Sequence, residues 1–512
     1  MIRLVLALLL TLGSGCEETR HRFPDVAAVL TDSGSAAADI APSPADTAPP
    51  DTAPAARVVA ESLRGATWLS HLSADILPYW TSADALGSPP GNFPTYRGMD
   101  GAPDANSERR PRMLSRQTYL YVVAFMLTGD PAQLEHARAG VDWLLTHAVD
   151  QNGACHARLD ASGEPLGDDA KTAQDVAYCG LGLAAWTFLT RDPATEAAVL
   201  KMRDLLFDPT TFWDAANSRI KDGLSADLSQ EFDVESDGGW ELVAQLDAIN
   251  ALLLLIQPVL SEASRRTEGL EDLRLLGESI VQHFHADGIF WGVHNKQGQY
   301  GTRHADFGHT LKTYWMLWLI DQRLPDHPFA SLLGATRTQL DRAWDAPNGR
   351  WAKRPLSAST VEYGNDWWSY AEADQLAASL NLLDGAYTQR LEQSAAHWMG
   401  FVDTTRTARE LVPGIDRTGV WVWDWADGDT AKCNQWKSGF HSAEHALVLY
   451  LTGQILEGKE AVLHFAPIGA TDGLVMPAYL FSAVEAGREI TGTTVLSETK
   501  HTLLKVRYSQ LL

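Results

Sequence analysis

A short motif that ends one helix and begins the next occurs twice in this chain, and it constrains the fold more than any other feature. Leu-Thr-Gly-Asp-Pro131 returns 62 residues later as Leu-Thr-Arg-Asp-Pro193, and Leu-Thr-Gly453 repeats its first half. Aspartate is a good N-cap and proline a good first helical residue, while Gly129 suits the end of the preceding helix. Apolar residues before the first motif follow helical spacing, at Tyr119, Val122, Val123 and Met126. The motif therefore predicts helical hairpins with a period of roughly 60 residues.

The helical pattern runs from about residue 58 to residue 456, which leaves room for about six hairpins of this period. Six hairpins that close into a ring form an (α/α)6 toroid, in which the inner helices surround a central cavity. A linear helical solenoid is the alternative, although solenoid repeats are shorter and more uniform. We therefore predict an all-α fold, an (α/α)6 toroid spanning residues 58–456.

The sequence changes character after Gly458, where short segments rich in β-branched and aromatic residues begin. The predicted strands are Ala461–Phe465, Tyr479–Val484, Arg488–Val495 and Thr502–Tyr508. We expect a small β-rich C-terminal segment over residues 457–512.

The N-terminus has the features of an export signal. A basic residue precedes the apolar run Leu4–Leu12, and small residues then lead to Cys16. This arrangement resembles a bacterial lipoprotein signal, in which Cys16 would be lipidated, and Glu17 after it implies an outer-membrane destination. An ordinary signal peptide with an incidental cysteine is the alternative. The apolar run is too short to span a bilayer, so we expect membrane contact through a lipid anchor only.

Residues 17–57 are expected to form a disordered tether between the lipid and the folded domain. From Asp32 onward this stretch repeats Ala, Pro, Asp and Thr and has almost no large apolar residue. Such a composition cannot bury enough surface to fold, and its prolines keep it extended. The expected location is thus outside the cytoplasm, on the outer membrane, facing the periplasm or the cell surface.

Charge and cysteine content exclude some function classes. The chain has 41 basic and 65 acidic residues and a net charge of −24, which argues against a nucleic-acid surface. Neither a CxxC motif nor a Cys/His cluster with metal-ligand spacing is present, so we predict no metal and no cofactor. Cys155 and Cys179 are able to pair, with Cys433 left over, but the sequence leaves this pairing and the oligomeric state open.

Two histidines stand in similar settings, each just after a glycine and an aromatic residue at the start of a helix. They are His309 in Phe307-Gly-His309 and His441 in Gly439-Phe-His441. Two imidazoles in one cavity can move a proton on and off a carbon atom, because they titrate near neutral pH. The alternative is that each histidine merely binds a loop carbonyl at its helix start.

Several segments, in this order, resemble the N-acylglucosamine 2-epimerase superfamily, which includes cellobiose 2-epimerases and aldose–ketose isomerases. The resemblance covers roughly residues 90–455. Its segments are Ser115-Arg-Gln-Thr-Tyr119, Leu-Thr-Gly-Asp-Pro131, Lys171-Thr-Ala-Gln-Asp-Val-Ala177, Phe-Gly-His309-Thr-Leu-Lys312, Trp367-Trp-Ser-Tyr-Ala-Glu372-Ala and Trp436-Lys-Ser-Gly-Phe-His441.

The resemblance implies a sugar epimerase or aldose–ketose isomerase that acts on a mono- or oligosaccharide through an enediolate. It places the acid/base pair on His309 and His441, and the cation that holds the sugar oxygens and the enediolate on Arg116. It places aromatic walls of the sugar site on Trp368 and Trp436. The further substrate-binding residues that we expect are Glu372, Tyr119, His304 and Asp306.

Two departures from the family pattern matter. The family has a glutamate three residues after its Gly-His, where this chain has Lys312, whose charge would depress a neighbouring imidazole's pKa. The family also carries a histidine in the stretch that matches Gly239–Asn250, which here has none. Either other residues substitute or the reaction has been lost. The candidates for substitution are Glu241, Gln245 and Asp247, with His304 and Asp306 as compensating groups near His309.

Two rival functions remain open from the sequence. An (α/α)6 glycoside hydrolase or lyase would use cavity carboxylates, for which the candidates are Asp306, Asp366, Glu372 and Asp374. A non-catalytic, surface-tethered glycan-binding lipoprotein would use only the tryptophan-rich cavity.

Overall fold

Six helical segments form the inner wall of the fold in the part of the chain that the structure describes. In the computed structural model the described residues are 59–104, 107–232, 239–246, 248–404, 410, 414–415, 421–422 and 431–511. In chain order, the first to sixth inner helices are Pro111–Thr128, Ala173–Thr190, Leu242–Leu246 with Ile249–Ile256, Phe307–Asp321, Trp367–Asp384 and Phe440–Leu456. Each packs against the next, and the sixth packs against the first, so the ring is closed.

Each inner helix is covered by an outer segment that is its hairpin partner. In chain order, the outer segments are Gly65–His71 continuing through Leu72–Ile76 and Leu77–Trp80, Pro131–Trp143, Pro193–Phe207, Ala263–Phe284, Leu333–Ala343 and Thr388–Gly400. The first outer segment packs on the sixth inner helix, so the two ends of the helical region close the ring. The predicted all-α (α/α)6 toroid is confirmed. The predicted signal, Cys16 and the tether lie outside the described residues.

The repeated motif acts through the contacts expected of it. The Asp130 carboxylate accepts a hydrogen bond from the backbone N–H of Ala132 at 3.0 Å, and Asp192 accepts one from Ala194 at 2.9 Å. Pro131 and Pro193 are the first residues of their helices. Local capping therefore fixes where two of the hairpins turn.

The inner helices are apolar on nearly all faces because they are surrounded by protein. The stretch Leu242–Val259 is, by length and composition, apolar enough to cross a membrane, but 94% of it is buried inside the toroid. It contains the third inner helix, and burial in the core accounts for its composition.

Three longer strands follow the last inner helix. They are Ala461–Phe465, Ala483–Leu496 and Thr499–Leu511, and the last of these lies between the other two in an antiparallel sheet. The expected separate strand at Tyr479–Val484 was wrong: Tyr479 has a left-handed φ of 59° and precedes one continuous strand that also includes Arg488–Val495. A tight turn at Ser497 and Glu498, both with positive φ, joins the long strands into a hairpin.

This C-terminal segment covers the end of the toroid at which the inner helices finish. The backbone N–H groups of Ala466 and Ile468 donate to the carbonyls of Leu189 and Thr190 at the end of the second inner helix. It therefore supplies hydrogen bonds to carbonyl groups that lack partners within the helix.

The loops between the helices contain short strands and one disulfide. The two-residue strands are Lys171–Thr172, Trp213–Asp214, Arg219–Ile220, Gly223–Leu224, Glu231–Phe232, His285–Ala286, Ile289–Phe290, Trp344–Asp345, Arg350–Trp351, Arg354–Pro355, Val361–Glu362, Asn365–Asp366, Gly414–Ile415 and Trp421–Val422. Cys155 pairs with Cys179, which ties the loop after the second outer segment to the second inner helix, and Cys433 is buried with a free thiol.

Candidate active site

A cavity of about 520 Å³ opens where the inner helices begin, at the end opposite the C-terminal sheet. Its lining comes mainly from the first turns of these helices and the loops that precede them. The lining residues are Arg112, Arg116, Gln174, Tyr178, Arg303, His304, Asp306, His309, Lys312, Lys353, Asp366, Trp367, Trp368, Trp436 and His441. Because helix N-termini carry partial positive charge, this position favours anions and developing oxyanions.

His309 is held by the residue that caps its own helix. Asp306 accepts hydrogen bonds from the His309 backbone N–H through Oδ1 and contacts the His309 Nδ1 through Oδ2, each at 2.8 Å. Burial raises the pKa of the Asp306 carboxyl, but His309 outweighs this effect and the pKa lies below its usual value. An ionised Asp306 places the proton of the neutral imidazole on Nδ1. Nε2 is the other nitrogen of the ring, which lines the cavity.

The glycine before His309 allows a tryptophan to approach closely. A Cβ atom on Gly308 would lie only 2.4 Å from the Trp368 indole, so a larger residue would push the indole away. The His309 ring stands edge to face with Trp368 at 4.8 Å between centroids, and the His441 ring lies 6.1 Å from the same indole. The two predicted histidines therefore line one cavity beside a shared aromatic ring.

His441 lines the cavity and belongs to a buried group of charges. Its Nδ1 is 3.2 Å from Oε1 of Glu372, and the same oxygen is 3.2 Å from Nζ of Lys312. Burial, together with the charges of Lys312 and Arg116, lowers the pKa of His441 to about 4, although Glu372 acts in the opposite direction. His441 is therefore a neutral imidazole at neutral pH.

Glu372 is the anion that balances these groups. Burial raises the pKa of its carboxyl, but Lys312 and His441 together hold the pKa below its usual value. Lys312 was expected to lower the pKa of a neighbouring imidazole, and it does so at His441. The same imidazole contacts Glu372, a carboxylate of the fifth inner helix. The glutamate that the family pattern places after His309 is absent, and Glu372 provides a negative charge from a different helix.

A second carboxyl lies below Glu372, deeper in the toroid. Burial, together with the negative charge of Glu372, raises the pKa of Glu444 to about 7. The Tyr479 hydroxyl donates to Oε1 of Glu444 and lies 2.6 Å from the Tyr119 hydroxyl, while Gln375 donates to Oε2 at 3.4 Å. The C-terminal segment therefore reaches the floor of the site through Tyr479.

The candidate ligand atoms of Glu372, His441 and Glu444 lie within 4.8 Å of one another, an arrangement that could hold a cation. The Lys312 ammonium already contacts the Glu372 carboxylate. Positive charge beside the Glu372 carboxylate is therefore supplied by Lys312.

Arg116, the cation expected from the family resemblance, lines the cavity. It is buried on the first inner helix, its guanidinium lies 3.6 Å over the Tyr178 ring, and Nη1 donates to the Trp436 carbonyl at 3.4 Å. Trp436 lines the cavity with 41% of its surface exposed, as expected of an aromatic wall at an entrance. A stacked guanidinium keeps a fixed orientation, which suits the recognition of adjacent oxygens.

His304 lines the cavity next to His309, and the buried Glu241 lies close to it. The His304 ring stands 4.6 Å from that of His309, and its Nε2 accepts from Nε of Arg303 at 3.2 Å. Glu241, from the stretch that lacks the family histidine, lies 3.0 Å from Arg303 and 3.6 Å from His304. Burial lowers the pKa of His304 and His309 lowers it further, so His304 is neutral as well.

Several candidates fall outside the cavity. Tyr119 and Glu372, expected to bind substrate, are fully buried below the floor because their side chains point between inner helices rather than into the opening. Asp374 is bound to Trp351, Ser394 and His445, so it stabilises packing between helices. Gln245 binds the backbone of Ile220, and Asp247 lies outside the described residues.

Other site residues were missed by the sequence reasoning. Arg112 also lines the cavity and lies one helical turn before Arg116, a spacing that could have revealed it. Glu444 lies three residues after His441 on the same helix, which is a similar signal. Lys353 and Tyr479 are supplied by loops, and their sequence positions carry no comparable periodicity.

Comparison with known proteins places this fold among sugar epimerases and isomerases. No family model and no curated protein matches the chain. The cellobiose 2-epimerase from Spirochaeta thermophila superposes with a TM-score of 0.64 at 18% identity, covering 76% of this chain and 96% of that one. A D-mannose isomerase gives 0.63 at 17%, covering 78% and 99%, and a sugar epimerase from a ruminal bacterium gives 0.59 at 14%, covering 76% and 98%. The expected resemblance to this superfamily is confirmed in the fold.

Proposed function

We propose that this protein is a sugar epimerase or aldose–ketose isomerase that transfers a proton through an enediolate intermediate. One observation carries the proposal: two imidazoles, each paired with a carboxylate, line the same cavity beside Trp368. Proton transfer at a sugar carbon requires groups that can both accept and return a proton near neutral pH. The structural likeness to sugar epimerases and isomerases supports the same reading at the level of fold.

In the proposed reaction, the open-chain sugar binds with its carbonyl end between the two histidines. Neutral His441 removes the proton from the carbon next to the carbonyl, and Glu372 stabilises the imidazolium that forms. The electron pair of the broken C–H bond becomes the carbon–carbon double bond, and the carbonyl oxygen becomes an oxyanion. Return of a proton from Nε2 of a protonated His309, whose charge Asp306 balances, to the opposite face of that carbon gives the epimer. Return to the former carbonyl carbon, with transfer of the neighbouring hydroxyl proton to the oxyanion, gives the isomeric ketose.

Arg116 and the helix N-termini would stabilise the oxyanion. A guanidinium donates two parallel hydrogen bonds and stays charged throughout the reaction. Loss of one such preorganised donor typically costs about 10²- to 10³-fold in turnover. Arg116 is therefore proposed to act on the enediolate rather than as an acid or base.

The carboxylates are poorly arranged for the rival hydrolase reaction. Glu372 is fully buried and engaged by Lys312 and His441, and Asp374 is engaged by three other side chains. Among the hydrolase candidates only Asp306 and Asp366 line the cavity, and Asp306 is bound to His309. This arrangement favours histidine chemistry over a pair of carboxylates.

We also propose that the domain is exported and anchored through a lipid on Cys16. The Cys155–Cys179 disulfide supports export, because disulfides persist in oxidising compartments. The net charge of −24 does not bear on the location.

Incubation of the purified domain with reducing sugars in D2O tests the proposal. An epimerase or isomerase incorporates deuterium at the carbon beside the carbonyl, which NMR or mass spectrometry detects. We expect incorporation by the natural protein and its loss in His441→Ala. Glycosidic cleavage without incorporation would favour a hydrolase, and sugar binding with neither outcome would favour a glycan-binding protein.

A further inference from the structure

A small side pocket of about 200 Å³ adjoins the cavity. It shares Arg303, His304, Asp306, Lys353 and Asp366 with the cavity, together with Trp368. Arg354 completes its wall. The shared lining makes the pocket an extension of the site, of a size that suits one substituent of a sugar.

Three cations lie in the lining of the side pocket. Arg303, Lys353 and Arg354 face two carboxylates, and one of these, Asp306, is bound to His309. Lys353 approaches the other carboxylate, Asp366, only to 3.9 Å, at the outer limit of an ion pair. Among the residues that line the pocket, cations therefore outnumber carboxylates by three to two, in a chain whose net charge is −24.

Two of these cations are held from behind by buried carboxylates. Nε of Arg303 lies 3.0 Å from Glu241, and Nε of Arg354 lies 2.5 Å from Glu362. The glutamate side chains are 6% and 7% exposed, whereas the two arginines are 46% and 34% exposed. An arginine has five N–H donors, and the contact of Arg354 with Glu362 through Nε occupies only part of this set. Glu241 and Glu362 thus hold the guanidinium groups of Arg303 and Arg354 in the lining of the side pocket.

The backbone also fixes these side chains relative to the proposed catalytic histidine. Arg354–Pro355 pairs with Val361–Glu362 in a short hairpin. The Lys353 carbonyl accepts a hydrogen bond from the N–H of Phe307, the first residue of the helix that carries His309, at 3.0 Å. An anion in the side pocket would therefore lie at a defined distance from the reacting end of the sugar.

We propose that the substrate is an acidic sugar, with its anionic group bound in the side pocket by Arg303, Lys353 and Arg354. This inference rests on the proposed function, because it places the reducing end of the same sugar at His309 and His441. A carboxylate of a uronic acid and a phosphate ester share the required chemistry, since both accept charge-assisted hydrogen bonds from guanidinium and ammonium groups. The acidic surface does not prevent such binding, because its field is screened beyond about 8 Å at physiological ionic strength.

Calorimetric titration with glucuronate, glucose 6-phosphate and glucose tests the side pocket separately from catalysis. We expect at least one acidic sugar to bind about tenfold or more tightly than glucose, the typical effect of charge-assisted contacts. Its affinity should fall as salt is raised, while that of glucose should stay constant. Equal affinity for all three sugars would overturn the inference. Preference for only one acid would identify the anionic group.

Two substitutions locate the effect. Arg354→Gln should lower the affinity for the preferred acid by about tenfold without changing that for glucose, because Arg354 lines the side pocket and not the main cavity. Lys353→Gln should lower the affinity for the acid by about tenfold and more than it lowers the affinity for glucose, because Lys353 lines both. Lys353→Gln guards against misfolding, since Lys353 makes only the long contact with Asp366. Arg507→Gln, an exposed charge in the C-terminal sheet, is the matched control and should change neither affinity. Unchanged acid binding in both pocket variants would overturn the inference.

Deuterium incorporation separates failure of this inference from failure of the proposed function. If neutral and acidic sugars exchange equally well, the function stands and the acidic preference is wrong. If acidic sugars bind preferentially but no sugar exchanges, the proposed reaction fails, and with it the assignment of an acidic substrate, while an anion-binding pocket remains.

Discussion

Oε1 of Glu372 lies 3.2 Å from Nδ1 of His441 and also 3.2 Å from Nζ of Lys312, so one buried carboxylate oxygen faces both a base and a fixed cation. The cation holds the carboxylate ionised, and the carboxylate in turn offsets part of the effect that burial and Lys312 have on the imidazole. This arrangement reconciles the lysine at position 312 with a histidine that is available as a base.

Removal of either histidine should abolish most of the proposed activity. His309→Ala and His441→Ala are each expected to lower turnover by about 10²- to 10⁴-fold, the usual contribution of a general acid or base. Turnover should be measured by deuterium incorporation, with circular dichroism to verify folding. His327→Gln, on an exposed histidine of the outer surface, is the control. Full activity in both alanine variants would show that the histidines are not the acid/base pair.

The Glu372–Lys312 pair should contribute strongly to stability because each charge compensates the other in the interior. Glu372→Gln leaves the Lys312 ammonium with less compensation and should lower the free energy of unfolding by about 3–5 kcal/mol. Lys312→Met should also destabilise the fold, whereas the double variant should recover part of the loss. A double-mutant cycle in urea gives the coupling energy, and additive losses would mean that the pair is not coupled.

The same cation should set the acid limb of the pH–activity profile. Burial and Lys312 both lower the pKa of His441, so the base stays unprotonated down to a pH well below the ordinary histidine value of about 6.5. Lys312→Met removes one of these causes and should move the acid limb of kcat/KM to higher pH. A limb that stays in place would show that Lys312 does not act on His441.

Much of the fold could be predicted because its signals are local. The Asp-Pro steps at 130–131 and 192–193 place caps and first turns through contacts within two or three residues, and their period gave the number of hairpins. The separate strand expected at Tyr479–Val484 was wrong for the opposite reason. Tyr479 is held by Glu444 and Tyr119, which lie 35 and 360 residues away in sequence.

The part of the site that the sequence predicted consists of side chains at the starts of helices, such as His309 and His441. Position 308 is a glycine because Trp368 occupies the space that a side chain there would fill. The glycine therefore marks the helix start that carries His309. The contact between Lys312 and Glu372 joins two helices that only the closed ring brings together. The setting of each histidine at a helix start therefore singled out His309 and His441, and the family resemblance suggested their roles, while the electrostatic balance around them required the structure.

Lipidation of Cys16 stays a prediction, since this residue lies outside the described part of the chain. Cys16→Ala should transfer the protein from the membrane fraction to the soluble fraction and abolish incorporation of a labelled fatty acid. The deuterium-exchange activity of the released domain should be unchanged, because the cavity is built from residues 112–441. Unaltered membrane partitioning of this variant would exclude the anchor.

Glu444 should make stability fall as pH rises toward neutrality. Burial and the charge of Glu372 raise the pKa of Glu444 to about 7 in the folded protein, whereas an unfolded glutamate titrates near 4.3. Between these two values the folded state holds more protons than the unfolded state, so the stabilising contribution is complete at low pH and is lost as pH rises through 7. Glu444→Gln mimics the protonated form and still accepts the Tyr479 hydrogen bond.

The substitution should therefore stabilise the protein more at pH 8 than at pH 5, and the difference between the two effects should be on the order of 2 kcal/mol. Thermal unfolding at both pH values, with the exposed Glu135→Gln as control, measures this difference; an equal effect at the two pH values would mean that Glu444 is ionised throughout.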